Sequence, residues 1–357
     1  MSNYKVLVIN PRSRFTKIAV YNNHELVFLN KIMHPDEELN QFENIIDQLA
    51  YRKSIIFKEL MDGDVDIKSI NLVVSRGGLI KPLRSGVYEI NEAMLSDLKD
   101  SPFGIDQVNL GGLIADQIAK MLGVKAYTSD PVVVDEMDEI ARITGHPDFE
   151  RKSVFHALNQ KAVAKRYAKS FNKKYEEINL IVAHLGLGIS VGAHSKGRVI
   201  DVTQSFDGEG PFSPKRSGTL PAGDLVKMCF SGKYTMMEIL KKISGKGGMM
   251  AHFGTEDMKE IEQRALNGDR QARLVYEAMA YNVAKYIAMM YPVLMGEVDA
   301  IILTGGIANS KYFTEYIVQR VQKLAPVHVY PGGDEMEALA YNVMAALDGE
   351  VPILEYK

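Results

Sequence analysis

The sequence predicts a two-domain α/β protein in which one arrangement of strands and loops occurs twice. Its 357 residues are too many for one ordinary hydrophobic core. The chain opens with two apolar runs around a polar turn, and this pattern returns at Asn179. Apolar residues at helical spacing occupy much of the chain around these segments. These observations indicate a structural duplication in which each half combines strands and helices.

The first half begins with strands predicted at residues 5–9, 16–21 and 25–30. Apolar residues at helical spacing then predict one helix over residues 37–61. The following elements are, in order, a strand at 70–75, a helix at 110–122, a strand and a helix within 131–143, and a helix from about 153 to 171. The first domain therefore mixes strands with helices.

The second half repeats the opening, since strands at residues 180–183 and 189–193 enclose a glycine-containing turn. A third strand at 198–203 precedes a mostly helical region that ends near Met295 and includes a helix at 272–290. The remaining predicted elements are a strand at 300–303, a helix at 311–324 and a last helix at 335–347. We expect that last helix to pack on the first domain. The predicted domains are residues 1–150 with 335–357, and residues 151–334.

Composition and charge narrow the classes of partner. The net charge of -3 provides no basic surplus for binding nucleic acid. The first residues do not resemble a signal peptide, and charged residues interrupt the apolar stretches before they could span a bilayer. We therefore expect a cytoplasmic protein that associates with neither nucleic acid nor membrane.

Three turns are candidates for binding phosphate. Residues 10–17 form a polar turn rich in hydrogen-bond donors and cations that could hold a phosphate, although an ordinary polar hairpin could have the same sequence. In the second turn, Gly186 and Gly188 would let the backbone approach a ligand closely. Because the two turns occupy equivalent places in the repeated pattern, each strengthens the evidence that the other binds phosphate. The third turn, residues 304–310, joins a strand to a helix N-terminus and could face a nucleotide or simply pack. It is neither a Walker loop nor a dinucleotide fingerprint.

Charged side chains near strand ends and glycine-rich loops suggest chemistry on anions. Arg76 precedes two glycines, and Arg216 lies in a loop rich in glycine and proline. A guanidinium group can bind a carboxylate or a phosphoryl group, although surface ion pairing is the ordinary alternative. Asp135 follows an apolar run at what reads as a strand end, where it could also cap a helix. His156 could be catalytic or an ordinary core or surface histidine.

Together these segments resemble the butyrate kinases of the acetate kinase family, in the superfamily of sugar kinases, heat-shock chaperones and actin. The resemblance runs through nearly the whole chain. It is most specific at residues 130–140, which read DPVVVDEMDEI, at residues 155–163, which read FHALNQKAV, and at residues 207–218, which read DGEGPFSPKRSG.

The resemblance implies a duplicated ribonuclease H-like fold, as in actin-like ATPases, with mixed sheets flanked by helices. It also implies ATP with Mg²⁺ as cofactor, bound between the domains, and direct, reversible in-line transfer of the γ-phosphoryl group to butyrate. Isobutyrate, acetate or propionate are alternative acceptors. The family further implies a homo-oligomer.

The resemblance also implies roles for individual residues. Asn10 and Glu335 would help to hold Mg²⁺. Arg76 and Arg216 would bind the carboxylate and the phosphoryl oxygens, His156 would donate to the phosphoryl group, and Asp135 would orient these cations. The implied nucleotide-binding residues are Asn10, Ser13, Thr16 and Lys17 in the first phosphate loop, His184, Gly186 and Gly188 in the second, and Gly305, Gly306 and Asn309 in the adenosine pocket.

The phosphate loops depart from the family pattern. Arg12, Arg14 and Phe15 stand where a glycine and two hydroxyl residues are usual, and Leu187 replaces a glycine or asparagine. A second interpretation is therefore a homologue that binds nucleotide with little or no transfer. A third, a sugar or polyol kinase, would require a carboxylate base facing a hydroxyl group.

Overall fold

A computed structural model describes residues 3–333 and 335–357 of the chain, which contain both strands and helices. The strands are β1 (Lys5–Pro11), β2 (Phe15–Asn22), β3 (Glu25–Met33), β4 (Leu72–Ser75), β5 (Val87–Glu89), β6 (Ala126–Ser129), β7 (Asn179–Leu185), β8 (Ile189–Ser195), β9 (Arg198–Val202), β10 (Ala300–Gly305), β11 (Val327–Pro331) and β12 (Ile353–Leu354). The strands predicted in the two opening ribbons and at 300–303 all occur.

The helices range from single turns to one of 24 residues. They are α1 (Asp36–Leu39), α2 (Gln48–Asp62), α3 (Glu92–Asp100), α4 (Asn109–Leu122), α5 (Glu139–Arg142), α6 (Ala157–Ser170), α7 (Ala222–Cys229), α8 (Met236–Ile243), α9 (Met249–Phe253), α10 (Met258–Leu266), α11 (Arg270–Val293), α12 (Lys311–Val321) and α13 (Glu335–Leu347). None of the helices among the described residues is both long and apolar enough to cross a membrane.

The chain divides into two compact units, and each is described by itself. The described residues of the first unit are 3–134 and 335–357, and those of the second are 135–333. Helix α13 belongs to the first unit, where it packs on β1 and β6. The domain limits expected from the sequence, residues 150 and 334, stay a prediction, and residue 334 lies outside the described residues.

The sheet of the first unit is mixed. Its described strands follow the order β12-β5-β6-β4-β1-β2-β3. Strands β1, β2 and β3 form an antiparallel meander, whereas β4 runs parallel to β1 and β6 runs parallel to β4. The hairpin between β1 and β2 is short, with Pro11 opposite Thr16.

The sheet of the second unit repeats this arrangement. Its described order is β11-β10-β7-β8-β9. An antiparallel meander, β7 to β9, again lies beside two parallel strands, because β10 runs parallel to β7 and β11 runs parallel to β10. The order matches β6-β4-β1-β2-β3 strand for strand. The turns between β1 and β2 and between β7 and β8 therefore occupy equivalent positions in the two sheets.

Helices cover both faces of the second sheet. Alternate residues of a strand point to opposite faces, and on β7 Ile181 and Ala183 pack in the cluster that contains α11. Leu180 and Val182 pack instead with Val163 on α6. Every residue of β7 is buried. A strand covered on both faces has no polar face, which explains the continuous apolar run in its sequence.

Two predicted elements were wrong. The single helix over residues 37–61 is interrupted, because Asn44 has an extended backbone and its N–H donates to the Asp47 carboxylate, which begins a new helical turn. The strand expected at 131–134 lies earlier, at β6, and the following helix is only α5. Asp130 has a positive φ of 42°, and Pro131 has no N–H for a ladder, so the chain leaves the sheet at this point.

The loop that carries Arg216 is fastened to the segment between α8 and α9 by backbone hydrogen bonds. Ser217 N–H donates to Ile243 O at 2.9 Å, and Met249 N–H donates to Ser213 O at 3.3 Å. The approach is closest at Gly248, where a Cβ atom would lie 1.7 Å from Ser213 O. Since real Cβ atoms do not come this close to a carbonyl oxygen, this position accepts only glycine.

We expect Gly248→Ala to destabilise the second unit and displace the Arg216 loop. The clash and the φ of +59° together should lower the free energy of unfolding by roughly 2 kcal/mol or more, measured in urea. Gly254→Ala is the matched control, because Gly254 has a φ of +71° but no described atom lies within 4 Å of its Cβ position. It should cost about 1 kcal/mol. Equal losses of unfolding free energy in the two variants would contradict the close approach of Gly248 to Ser213 O.

Candidate active site

Donors from separate parts of the first unit meet at one oxygen of Glu335, the first residue of α13. Asn10 Nδ2 donates to Glu335 Oε2 at 2.9 Å, and Arg12 Nη2 donates to the same atom at 2.6 Å. Arg76, which follows β4, approaches it with Nη1 at 3.4 Å. Glu335 is 8% exposed and Arg76 is 6% exposed. The predicted metal-binding and carboxylate-binding residues of this unit therefore form one largely buried cluster.

Burial and neighbouring charge act on the Arg76 guanidinium. Burial lowers the pKa of Arg76 to about 10, and the positive charge of Arg12 acts in the same direction. The carboxylates of Glu335 and Asp106 oppose this shift. Arg76 thus remains a cation at neutral pH, and it lies in an environment where a charge is screened little by water.

An unpartnered acceptor lies inside this cluster. Asn10 Oδ1 is buried and has no hydrogen-bond partner among the described residues. An amide oxygen beside a carboxylate is the kind of donor set that Mg²⁺ prefers. The described residues contain no group of His, Cys, Asp and Glu side chains that could hold a metal alone. The buried Asn10 Oδ1 beside the Glu335 carboxylate fits a Mg²⁺ bound by one or two protein oxygens.

A buried arginine holds the hairpin turn from behind. Arg52, on α2, is fully buried, and it donates to the carbonyl oxygens of Arg12 and Ser13, each at 2.9 Å. It also donates to Thr16 Oγ1 at 3.1 Å, and its Nε and Nη2 atoms both donate to Gln48 Oε1. Burial lowers the pKa of Arg52 to about 10, so the side chain stays charged at neutral pH. These hydrogen bonds fix the backbone of the first candidate phosphate loop.

The predicted residues of this loop differ in where their side chains lie. The Thr16 hydroxyl is fully buried and contacts His34 Nε2 at 2.8 Å as well as Arg52. It is turned into the protein and supports the loop from within. Ser13 at the tip of the turn and Lys17 on β2 are half-buried. Burial lowers the pKa of His34 to about 4, which makes it a neutral partner for Thr16.

In the second unit, two predicted histidines stack beside the equivalent turn. The rings of His156 and His184 have centroids 3.9 Å apart and planes within 16°. His184 Nδ1 lies 2.6 Å from Asn159 Oδ1 on α6. A Cβ atom on Gly188 would lie 3.5 Å from His156 Cε1, so the ring packs against the turn itself. The structure thus brings His156, His184, Gly186 and Gly188 together.

A buried chain of polar side chains leads away from His156. His156 Nδ1 lies 2.8 Å from Ser190 Oγ, which accepts from Gln160 Nε2 at 2.9 Å. Gln160 Oε1 lies 3.0 Å from His194 Nε2, and His194 Nδ1 lies 2.7 Å from Tyr175 Oη. Burial lowers the pKa of His194 well below its usual range. His194 is therefore neutral.

This chain assigns the proton on His156. Gln160 Nε2 also donates to the backbone carbonyl of Ser190 at 3.1 Å, which fixes the orientation of the amide. Ser190 Oγ accepts from that amide and from the backbone N–H of His156 at 3.4 Å, which occupies both of its lone pairs and leaves its hydroxyl hydrogen for His156 Nδ1. A neutral His156 that accepts at Nδ1 carries its proton on Nε2. The imidazole can then donate a hydrogen bond from Nε2.

The loop that carries Arg216 is attached to the same turn. Ser213 Oγ donates to Leu187 O at 2.6 Å, and Lys215 N–H donates to that oxygen at 3.3 Å. Arg216 Nε donates to Ser205 O at 3.3 Å, and the guanidinium lies 5.1 Å from the centre of the Phe206 ring. These contacts orient Arg216 relative to the turn.

The structure gives Asp135 a local partner. Its carboxylate forms a bidentate ion pair with Arg142, at 2.6 and 2.8 Å, and accepts from Met137 N–H at 3.2 Å. Both charged side chains are largely buried. The role that the resemblance implies for Asp135, orienting Arg76 and Arg216, stays a prediction.

The third turn begins where β10 ends. Gly305 has a φ of +93°, and a Cβ atom there would lie 2.4 Å from Leu185 O. The backbone of this turn therefore packs directly against the end of β7. Gly305 and Gly332 exchange hydrogen bonds of 2.9 Å, which join this turn to the end of β11. Gly306 and Asn309 are exposed, and Asn309 Nδ2 donates to Gly306 O at 2.9 Å.

Sequence reasoning missed the supporting residues. Arg52 falls at a four-residue spacing with Gln48, Ile56 and Leu60, which are the other buried positions of α2. A charged residue within such a stripe is a signal, because an arginine is rarely buried unless its donors have partners. Ser190 carried no comparable signal.

Comparisons with solved structures agree with this description of the fold. The chain superposes on acetate kinase from Porphyromonas gingivalis with a TM-score of 0.75 at 21% identity, covering 96% of this chain and 100% of that one. A propionate kinase from Francisella tularensis gives a TM-score of 0.75 at 19% identity, covering 95% and 98%. The predicted fold, a duplicated ribonuclease H-like α/β architecture, is confirmed.

Comparisons of sequence define the family. The pattern of the Acetokinase family matches residues 149–333. The chain is 52% identical over 354 residues to butyrate kinase 2 of Clostridium acetobutylicum, covering 99% of each chain. It is 51% identical to butyrate kinase 1 of the same organism, covering 99% of this chain and 100% of that one. The chain therefore belongs to the acetokinase family. The predicted resemblance and the predicted class, a phosphotransferase with a carboxyl acceptor, are confirmed.

We expect Arg52→Met to lower the free energy of unfolding by about 3 kcal/mol, because carbonyl oxygens of the hairpin turn would lose a buried charged donor. Urea unfolding measures this loss. Lys58→Met on the exposed face of α2 is the control and should change stability by about 0.5 kcal/mol or less. Indistinguishable variants would show that Arg52 does not hold the turn.

We expect the neutral His156 ring to carry its proton on Nε2, as ¹⁵N chemical shifts of the labelled imidazole would show. In Ser190→Ala the Nδ1 atom loses its donor, so the share of the Nδ1–H tautomer should rise. Ser195→Ala, on the same strand, should leave the shifts of His156 unchanged. A wild-type ring protonated on Nδ1 would contradict the assignment.

Proposed function

We propose that this chain transfers the γ-phosphoryl group of ATP to butyrate, giving ADP and butyryl phosphate reversibly. The observation that carries this proposal is identity of 51 to 52% with two butyrate kinases over almost the whole chain. The cations Arg12 and Arg76 in the first unit and Arg216 in the second suit a reaction between two anions.

The proposed reaction is one in-line displacement. A carboxylate oxygen of butyrate forms the new bond to the γ-phosphorus as the bond from that phosphorus to the β,γ-bridging oxygen breaks, and ADP leaves with that oxygen. Butyrate is already an anion at neutral pH, so no base has to remove a proton from it. Positioning and neutralisation of charge must therefore provide most of the acceleration.

We propose roles for the cationic and hydrogen-bonding side chains. Arg76 and Arg216 bind the carboxylate and the phosphoryl oxygens, and Asp135 contributes to the orientation of these cations. His156 donates to the phosphoryl group from Nε2. The tautomer assigned through Ser190 supports this role because it supplies a donor without a change of protonation.

We propose that the three turns bind the nucleotide. Ser13 and Lys17, on the turn that Arg52 supports, line the first phosphate loop, and Thr16 holds that loop from within. His184, Gly186 and Gly188 form the second phosphate loop. Gly305, Gly306 and Asn309 line the adenosine pocket, which the positive φ of Gly305 and the exposure of the other two support.

Asn10 and Glu335 are the proposed protein ligands of Mg²⁺. The unpartnered Asn10 Oδ1 beside the Glu335 carboxylate supports this assignment. When bound, Mg²⁺ would neutralise negative charge on the phosphates. A cytoplasmic location, assembly into a homo-oligomer and the absence of nucleic acid or membrane partners remain predictions.

The experiment that tests the function traps the acyl phosphate. ATP, Mg²⁺ and a carboxylate are incubated with the protein and hydroxylamine, and the hydroxamate is measured for straight acids of C2 to C5 and for isobutyrate. We expect the highest kcat/KM with butyrate, by at least about thirtyfold over acetate, because butyrate has two more methylene groups and each contributes about 1–3 kcal/mol in an apolar pocket. Absence of hydroxamate from every acid would exclude this function and favour a nucleotide-binding homologue.

Variants of the two arginines complete the test. We expect Arg76→Ala and Arg216→Ala each to lower kcat/KM at least about 100-fold, because each removes charge from the developing transition state. Arg320→Ala is the control, since Arg320 is exposed and stacks on Tyr316. Full activity of Arg216→Ala would show that this cation takes no part in the reaction.

A further inference from the structure

Arg12 lies where it would compete with a metal ion. Its Nη2 atom is 2.6 Å from Glu335 Oε2, and Asn10 Nδ2 donates to that same oxygen at 2.9 Å. A divalent cation at Asn10 and Glu335 would therefore meet a carboxylate that a guanidinium already neutralises. Mg²⁺ loses its water reluctantly, so it gains little from a carboxylate whose charge is compensated.

Arg12 differs from Arg76 in its freedom to move. The Arg12 side chain is 33% exposed, whereas that of Arg76 is 7% exposed. The backbone at Arg12 is fixed, because its N–H donates to Phe15 O at 2.7 Å and its carbonyl accepts from Arg52 at 2.9 Å. The side chain can thus change its partner while the turn keeps its shape.

Phosphate offers Arg12 such a partner. A planar guanidinium group pairs with phosphate oxygens as well as with a carboxylate. Arg12 is part of the turn that we propose for phosphate binding, so an arriving nucleotide brings phosphate oxygens to its reach. Movement of Arg12 from Glu335 to a phosphate would release the carboxylate at the moment when the metal has phosphate ligands.

We propose that Arg12 is an internal counter-ion of Glu335 that makes binding of the divalent cation depend on bound nucleotide. This inference rests on the metal-binding role of Asn10 and Glu335 in the proposed function. It assigns to Arg12 a positioning role: the guanidinium keeps the carboxylate in place without metal and gives it up when phosphate arrives. Metal and nucleotide then enter together.

The test measures binding of Mn²⁺, as a probe for Mg²⁺, to the full-length protein by the EPR signal of free Mn²⁺. Without nucleotide, we expect Arg12→Gly and Arg12→Gln to bind Mn²⁺ at least about tenfold more tightly than the unaltered protein, because the competing charge is gone. Arg12→Lys keeps the charge and should bind as weakly as the unaltered protein.

Two controls isolate the ion pair. Arg14 lies two residues away on the same turn, but it is exposed and pairs with Asp36, so Arg14→Gly should leave Mn²⁺ affinity unchanged. Adding Glu335→Gln to Arg12→Gly should abolish the gain. Thermal unfolding shows whether each variant is folded. If Arg12→Gly does not fold, Arg12→Gln takes its place in the comparison.

Addition of ADP gives an independent readout. We expect ADP to tighten Mn²⁺ binding strongly in the unaltered protein and at least about tenfold less in Arg12→Gly, a coupling of ordinary size for linked sites. Equal Mn²⁺ affinities without nucleotide, or equal effects of ADP, would overturn the role of Arg12. Such a result with normal hydroxamate formation leaves the kinase function intact, whereas loss of hydroxamate from every acid removes that function separately.

Discussion

The first unit depends on the pairing of buried charges near its hairpin turn. Glu335 begins the last long helix, and it meets Asn10 and two arginines from parts of the chain more than 250 residues away. A buried carboxylate without such partners would be costly, so this cluster holds α13 against the sheet as well as grouping the candidate ligands. The same reasoning holds for the turn. The buried guanidinium of Arg52 needs hydrogen-bond acceptors, and it finds them in the carbonyl oxygens of Arg12 and Ser13.

In the second unit, hydrogen bonds through Ser190, Gln160 and the neutral His194 order the candidate site. Its turn is the structural equivalent of the first, but His156 and His184 stack there in place of a cluster of charges. A buried chain through Ser190 and Gln160 orients one ring, and a neutral histidine closes that chain. An imidazole held in one tautomer is a donor at neutral pH. The duplicated fold thus presents two equivalent turns with different chemistry.

Much of the fold was predictable because it follows from local patterns. The ribbon strands and the last helix were predicted within a few residues. Strands β1 and β7 are buried along almost their whole length, which leaves continuous apolar runs, and the apolar residues of α13 recur at helical spacing. The break within residues 37–61 and the turn at Asp130 were not predicted. Both depend on a single carboxylate that accepts from a backbone N–H: Asp47 accepts from Asn44, and Asp130 accepts from Gly86.

By itself the sequence determined the fold class, the duplication, the family and a set of candidate residues, because apolar spacing and motif residues record these directly. Only the tertiary structure decided which partners those residues have: that Thr16 is turned inward, that Asp135 pairs with Arg142, and that Arg12 binds Glu335. Such contacts join residues far apart in the chain, and their energies depend on distance and burial. Neither quantity is written in the order of the residues.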